Sequence, residues 1–530
     1  MKNKNLFFLI LTVLSSGLLF YLYIDYQSAL AQGDHGRDLY AFAATLRGEV
    51  PYRDYWWVYG PLMPYYYGLF FKFLGINIPS ILLGKLFLNL LAGVFFYLSL
   101  ALMISPVFAY LGVLWFWTFQ PDFFFTYNHA GGIAMLLAAT YCLFAYIKTH
   151  RTAYLFAGLL SIFLLGLIKF NFGVMALVIF LSSVFMIDRA APIPPTPAKR
   201  QFYIFALFIV PPILLFIYAA LLYDLPNYEI RECFPYLKED QQYYIPLFKG
   251  LSTWIKMILG NVVASWQNSL FGLLVIGSML QTFNRLFSKT TDKKTKIQVI
   301  LAIMVLCLFY SASLHEFIRS GVLYRSYWAR PFSMLLIFLC IGFAIKNFPQ
   351  MIKLAVGAFL VFLLGQYWIA QVPFVTQQKS PEQYLAHEKG KVFLGNSPAW
   401  IDTILKTTEY LQTHLGKDEL FFALPYDPIY YYLTGKQSPT RQLIFFDHIH
   451  IPPEQELKII AELEQKKVNY ILLSNRMDSS EAGLGTFGVS YGKLLKEYIV
   501  NHFSQEATFG TWNQPAGWAW NHGTMILKRK

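Results

Sequence analysis

Charge is scarce in this 530-residue sequence: Asp, Glu, Lys and Arg make up 14% of it, against about a quarter in a soluble domain. That shortage excludes a wholly water-exposed protein. Cysteine is scarcer still, at four residues. Cys142, Cys307 and Cys340 fall in apolar runs and Cys233 stands alone in a loop, which excludes a disulfide framework and a thiolate metal centre. A phosphate-cradling glycine loop is missing too. Gly483, Gly485 and Gly488 lack both the strand-to-helix setting and the Lys-Ser/Thr signature such a loop needs. No internal repeat stands out, and the one low-complexity patch, Pro192-Ile-Pro-Pro-Thr-Pro197, reads as a stiff connector.

What the sequence does have is apolar surface: 56% hydrophobic residues, including 49 Phe and 36 Tyr. Apolar runs fall near 6–26, 80–101, 105–120, 131–147, 152–168, 172–187, 201–223, 260–282, 297–313, 331–345 and 352–371. They predict a polytopic α-helical membrane protein of about 11 transmembrane helices, in a range of roughly 10 to 13. The first run, Leu6 to Ile24, is long enough at about 1.5 Å per residue to cross roughly 30 Å of hydrocarbon. Ala29-Leu-Ala31 resembles a leader cleavage site, but the length of the run and the spans that follow favour a retained helix.

The formal charge of +13 follows the lipid rather than a nucleic acid. With the N-terminus cytoplasmic, Lys148, Arg151, Arg189, Lys199 and Arg200, then the group from Arg285 to Lys296, then Lys346 and Lys353, all fall on the inner side. Asp224, Glu229, Glu232, Glu239 and Asp240 fall on the other side. An odd number of spans then places the loop 27–79 and the tail 372–530 together on the outer face.

The tail predicts an α/β domain. Asp418 to Leu424 reads as a buried strand ending in a Pro-Tyr-Asp-Pro turn, Pro453 to Lys466 as an amphipathic helix with Leu457, Ile460 and Leu463 near one face, and Val468 to Leu473 as a second strand. The Tyr-rich patch Pro425 to Lys436 has two open readings, a sugar cradle and a glue between tail and membrane bundle. Asn475, Arg476 and Asp478 follow the second strand and are expected to face the same cleft, where this domain would help choose the acceptor.

The chemistry concentrates in Asp34-His-Gly-Arg-Asp-Leu-Tyr40 and Gly48 to Leu62. Arg37, Tyr40, Ala41 and Ala44 lie three and four apart, so Asp34 caps or begins a surface helix with Asp38 one turn on. Arg47-Gly48 ends it, and Tyr65 to Leu74 forms a second surface helix. The two aspartates read either as solvated loop charges or as working carboxylates. Further candidates are Asp122, Gly131-Gly132 for close backbone approach, and His129, open to a metal, a sugar hydroxyl or a local hydrogen bond. Lys169 reads as snorkelling or as a phosphate contact. His315, Glu316, Arg319, Arg325 and Arg330 form an outer cationic loop against the positive-inside trend, suited to phosphate or to pairing with Glu316. His315 and Glu316 alone do not define a metal site, so a divalent metal stays open.

The pattern Asp34-x-Gly-Arg-Asp-Leu-Tyr, Gly48-x-x-x-Tyr-Arg-Asp54, Tyr59-Gly-Pro-Leu and Phe71-Lys-Phe-Leu-Gly75 resembles the opening region of the bacterial GT-C membrane glycosyltransferases, the group of the protein mannosyltransferases and the lipid A aminoarabinose transferase. The resemblance implies a catalytic membrane part over 1–371, a catalytic aspartate in the first outer loop, a polyprenyl-phosphate sugar as donor, and the bacterial inner membrane as location. Where that family commonly has Asp-Glu, this chain has Asp34-His35, so Asp34 and Asp38 are both candidates for the base. Direct displacement with inversion needs only one carboxylate, unlike a typical glycosidase. Arg37 and Arg53, with Asp54, are the charged neighbours, and Tyr52 and Tyr59 stack on sugar or anchor the interface. The expected acceptor is an envelope glycan, a glycolipid or a protein. A lipid or headgroup transporter is the alternative, but that class calls for ionisable groups near the midplane and paired internal symmetry.

Overall fold

The computed structural model describes residues 2–20, 29–119, 127–190, 196–226, 230, 245–289, 291–377, 380–447, 449, 451–477, 485–514, 516–517 and 520–530. Of the residues singled out above, Asp122, Pro192, Glu229, Glu232, Cys233, Glu239, Asp240, Asp478 and Gly483 lie outside that set.

Among the described residues, seven helices are long and apolar enough to cross a membrane: Ile78–Ala101 (α4), Tyr127–Thr149 (α6), Phe170–Ala190 (α8), Pro197–Leu222 (α9), Trp266–Phe287 (α11), Lys293–Ser320 and Gln350–Ala370. The last two belong to α12 (Lys293–Ser313) with its short continuation α13 (His315–Ser320), and to α15 (Gln350–Gln377). Shorter apolar helices accompany them: Asn3–Leu19 within α1 (Lys2–Leu19), Pro106–Thr118 (α5), Thr152–Ile168 (α7) and Arg330–Ala344 (α14). Each apolar run read from the sequence overlaps one of these helices over its described residues, the first as far as Leu19 and the run at 260–282 from Trp266 on.

Local chemistry sets their ends. Asn77 accepts a hydrogen bond from the Ser80 amide and Pro79 follows it, starting α4. In α9 a π-helical turn at Phe205–Ile209 precedes Pro211 and Pro212, which carry no N–H to continue the ladder. The span expected at 260–282 is displaced to Trp266–Phe287, because Ser265 breaks the chain with extended backbone and caps the Asn268 amide. Before that break lies α10 (Leu247–Val263), a helix the sequence reading did not separate.

Two helices occupy the loop between α1 and α4: α2 (Asp34–Leu46) and α3 (Leu62–Leu74). The C-terminal region adds α16 (Pro398–His414), α17 (Ile429–Thr434), α18 (Pro453–Gln465) and α19 (Lys493–His502). Its short β1 (Tyr384–Leu385) and β2 (Val392–Phe393) pair antiparallel. A four-stranded sheet has the order β3 (Phe421–Leu424), β4 (Tyr470–Ser474), β6 (Gly523–Arg529), β5 (Phe503–Gly510), with β3 and β4 parallel and the other pairs antiparallel. The expected face of α18 holds in part: Leu463 is buried and Ile460 packs against the apolar cluster of Phe422, Leu424, Ile471 and Leu473, but Leu457 is 57% exposed and Ile459 is buried in that cluster instead.

The C-terminal region packs directly on α2. A Cβ on Gly36 would lie 2.4 Å from the Ile429 amide nitrogen, and one on Gly33 only 1.9 Å from the Tyr426 ring. The Ile429 amide donates to the Gln32 carbonyl at 3.2 Å, Trp400 donates to the Gln32 side chain at 3.1 Å, and Asn396 bonds Leu30 through both its amide atoms. One continuous apolar core therefore runs from Trp115 and Trp328 among the membrane helices to Trp400 and Tyr430 in the C-terminal region.

Candidate active site

Helix α2 starts at Asp34 without a side-chain cap from Gly33, so Asp34 is the first helical residue rather than the cap. A carboxylate there is favoured by the positive end of the helix dipole. Asp38, one turn on, is 1% exposed where Asp34 is 36% exposed. Arg37 makes the difference. Its Nε and Nη2 donate to Oδ1 of Asp38 at 2.9 and 2.7 Å, while Nη1 reaches Oδ1 of Asp34 at 3.2 Å. Asn128 donates to the other Asp38 oxygen at 3.3 Å.

Burial pushes Asp38 up to about 6, against the pull of Arg37. For Arg37 burial works against the charge, but Asp38, Tyr59 and Asp34 outweigh it and hold the guanidinium above its ordinary value. The same guanidinium lies over the rings of Trp56, Trp57 and Tyr59 at 5.9, 5.7 and 5.2 Å. Asp38 is thus held within a buried network, and Asp34 presents the accessible carboxylate. His35, between them, accepts a hydrogen bond from the Ala31 amide at 2.8 Å.

A second patch adjoins the first through Gly60. Its amide donates to the Ile168 carbonyl at 2.8 Å, and a Cβ there would stand 2.0 Å from the Leu167 oxygen. Past that contact the backbone breaks at Lys169, which separates α7 from α8 in extended conformation. Lys169, read from the sequence as snorkelling or as a phosphate contact, has its Nζ 2.6 Å from Glu316 Oε1 with both side chains largely buried. Lys169 lies over Phe172 and Trp328 at 4.9 and 5.1 Å. Asn171 bridges Glu316 and His315 at 3.3 and 3.4 Å, and His315 Nδ1 bonds the Ala312 carbonyl at 2.7 Å.

His129, at the start of α6, joins the two patches. Tyr327 hydrogen-bonds its Nδ1, the Tyr59 and Trp328 rings flank it at 5.7 and 4.9 Å, and it feels the charges of Lys169, Glu316, Arg325 and Arg37. Gly132 makes room for Trp328, 2.6 Å from where a Cβ would be. Among the described residues no three His, Cys, Asp or Glu side chains are grouped to hold a metal.

Other sequence candidates are placed elsewhere. Arg53 and Asp54 pair with each other at 2.8 Å on an exposed turn, where the hydrogen bond from Arg53 holds Asp54 below its ordinary value. Arg53 lines a separate cavity of about 180 Å³ with Asp224, Arg441 and Lys458. Tyr52 is buried with positive φ and donates to the Tyr59 carbonyl, so it shapes the loop. The cationic run divides: the charge of Arg325 is felt at His129 and Lys169, Arg319 is exposed, and Arg330 donates to the Phe119 carbonyl at 3.3 Å.

Three contributors were missed or under-read. Asn128 lies beside the quoted His129 but carries no charge to draw notice. Lys85 is 1% exposed with its Nζ 5.1 Å over the Tyr127 ring; a lysine inside the apolar run 80–101 was the available signal. Tyr426, from the Tyr-rich patch, sets its ring against Gly33, where a Cβ would stand 1.9 Å away, and lies under the Arg476 guanidinium at 4.4 Å.

No protein-family model matches the chain, and no curated protein matches it in sequence. Solved structures do match in fold. ArnT from Cupriavidus metallidurans in the apo state aligns with a TM-score of 0.54 at 10% identity, covering 98% of this chain and 97% of that one. The same protein bound to undecaprenyl phosphate aligns at 0.52 and 11%, with the same coverage. The arabinofuranosyltransferase AftD from mycobacteria aligns at 0.50 and 12% over 98% of this chain, which spans 40% of AftD. At such identities the likeness is one of fold: the chain shares the overall architecture of ArnT and AftD.

Proposed function

We propose that this protein is an inverting glycosyltransferase that moves a sugar from a polyprenyl-phosphate donor to a hydroxyl of an envelope glycan, glycolipid or protein on the outer face of the bacterial inner membrane. In this reading the N-terminus is cytoplasmic, residues 1–371 carry catalysis, and residues 372–530 form a periplasmic or extracellular domain. One observation carries it: of two aspartates one helical turn apart, Asp38 is locked by Arg37 and Asn128 while Asp34 stays 36% exposed. The shared fold supports the donor class, since ArnT has been solved with undecaprenyl phosphate bound.

The acceptor oxygen attacks the anomeric carbon as the bond from that carbon to the phosphate oxygen breaks. Asp34 takes the hydroxyl proton, and polyprenyl phosphate leaves with the electron pair. The leaving phosphate needs fixed positive charge; Arg325 supplies it, because Arg37 is committed to Asp38 and Lys169 to Glu316. Arg319 and Arg330, at the edges of the same loop, serve lipid headgroups.

The test uses the full-length protein in proteoliposomes with undecaprenyl-phosphate sugars, one at a time, and isolated envelope material as acceptor. A new glycosidic bond with release of polyprenyl phosphate is the expected result. Movement of the lipid across the bilayer with no new bond contradicts it and favours a transporter.

A further inference from the structure

A cavity of about 180 Å³ lies where the C-terminal region meets the loop between α2 and α3, and the displacement described above makes no use of it. Three parts of the chain wall it. Arg53 comes from the loop, Asp224 and Leu225 follow the end of α9, and Arg441, Lys458 and Glu462 belong to the C-terminal region. Gln455, Lys458, Ile459 and Glu462 are spaced three and four apart, so one face of α18 forms a wall. Arg441 ties the cavity to the candidate active site. Its Nη1 donates to the Tyr52 carbonyl at 2.8 Å, its own carbonyl accepts from the Trp56 amide at 2.9 Å, and the Trp56 ring lies 5.9 Å from the Arg37 guanidinium.

The charges of the lining select what fits. Arg53 is closed on Asp54 at 2.8 Å, which leaves two cations, Arg441 and Lys458, alongside two carboxylates, Asp224 and Glu462. Lys458 and Glu462 stand one helical turn apart, yet among the described residues neither makes a hydrogen bond or an ion pair. A phosphate placed here would meet two carboxylates, and an amine two cations. A hydroxyl both donates and accepts, so a ring carrying several hydroxyls satisfies ammonium and carboxylate together. Size points the same way. A cavity of roughly 150 Å³ holds one benzene ring, so this one takes a single sugar ring rather than a chain.

We propose that this cavity is an acceptor subsite that holds one uncharged sugar ring. The inference rests on the reading of the protein as a glycosyltransferase and narrows the acceptor to one that carries saccharide, because a bare protein hydroxyl brings no ring to fill the cavity.

The first experiment needs no donor. The full-length chain, in a detergent without a sugar headgroup, is titrated with the methyl glycosides of glucose, galactose and mannose and with glucose 6-phosphate, and binding is read by saturation-transfer NMR. At least one methyl glycoside is expected to bind, and more tightly than the phosphate. Lys458→Met and Glu462→Gln should each weaken that binding roughly tenfold, while Glu454→Gln, on the same helix but off the cavity, should match the parent. In the transfer assay with isolated envelope material, the same two variants should raise the acceptor KM by a similar factor and leave kcat and donor affinity unchanged. Solvent extraction of that material then assigns the ring, to a glycolipid if the lipid extract accepts sugar and to a glycan if the residue does. No binding of any methyl glycoside, preference for the phosphate, or parent-like binding in both variants overturns the inference and leaves the transferase reading standing. Sugar binding that both variants weaken, in a protein that forms no glycosidic bond in proteoliposomes, overturns the transferase reading and the acceptor role with it.

Discussion

One loop carries two adjacent Arg-Asp neighbours, and the fold treats them in opposite ways. Arg37 and Asp38 are 3% and 1% exposed, in contact with Asn128 and three aromatic rings. Arg53 and Asp54 are 58% and 31% exposed and meet mainly each other. The dipeptide is the same, so the difference comes from what covers it. Gly33 and Gly36 admit Tyr426 and Ile429 onto α2, and α6 brings Asn128 from below. Within the turn at Val50 to Asp54, Pro51 and Tyr52 are buried and Arg441 donates to the Tyr52 carbonyl at 2.8 Å, but Arg53 and Asp54 stay on its exposed side, where the Asp54 carboxylate accepts from the Val50 amide and shapes the turn.

The comparison breaks most sharply by truncation. Arg37→Ala leaves Asp38 buried without its partner and is expected to cost about 3–5 kcal/mol, read as loss of folded protein in detergent melting. Arg53→Ala removes a solvated pair and is expected to leave the melt unchanged. Next in size is Gly36→Ala. Its Cβ meets the Ile429 backbone at 2.4 Å, so overpacking of about 1–3 kcal/mol is expected. Gly277→Ala on α11, with nothing within 4 Å, should instead stabilise by about 0.5–1 kcal/mol. Equal melts for those two variants would show that the C-terminal region does not press on α2.

A further test reads the pH dependence of a buried pair beside Tyr426. Asp427 Oδ1 and His522 Nε2 lie 3.8 Å apart, both fully buried. Burial pushes Asp427 up to about 7 and His522 down to about 3, so the folded chain keeps both neutral near pH 5. Their contributions to stability oppose each other. Asp427 holds a proton that the unfolded chain has released, so its contribution falls as pH rises from about 4 to about 7; His522 lacks a proton that the unfolded chain holds, so its contribution rises from about 3 to about 6.5. Relative to the parent, Asp427→Asn should therefore gain a melting temperature that climbs with pH, and His522→Gln one that falls with pH. Parallel curves for parent and both variants would contradict the burial of the pair.

Much of this fold was legible because apolar runs and helix periodicity are local signals. The runs fell on helices, α2 begins at Asp34 and ends at Arg47, and β3, α18 and β4 lie where alternation and turn residues placed them. The break at Ser265 was missed because the apolar run continues across it. β5 was missed because its residues are largely polar and exposed. The site was legible only in part. Asp34, Asp38 and Arg37 announced themselves by charge within one helical stretch, and His129, Lys169, Glu316 and Arg325 by charge at span ends. Which aspartate is buried, whether Lys169 has a partner, and that Tyr426 packs on Gly33 from far along the chain all depend on long-range contacts. No local pattern encodes those. Gly33 and Gly36 were the trace of such a contact, two small residues on the face the C-terminal region approaches.

The account turns on Asp34, and the most direct measurement is single-turnover transfer from an undecaprenyl-phosphate sugar by Asp34→Asn, with donor binding measured on the same preparation. Unchanged donor binding with transfer slowed by roughly 10²- to 10⁴-fold is the predicted result; transfer at the parent rate would contradict it.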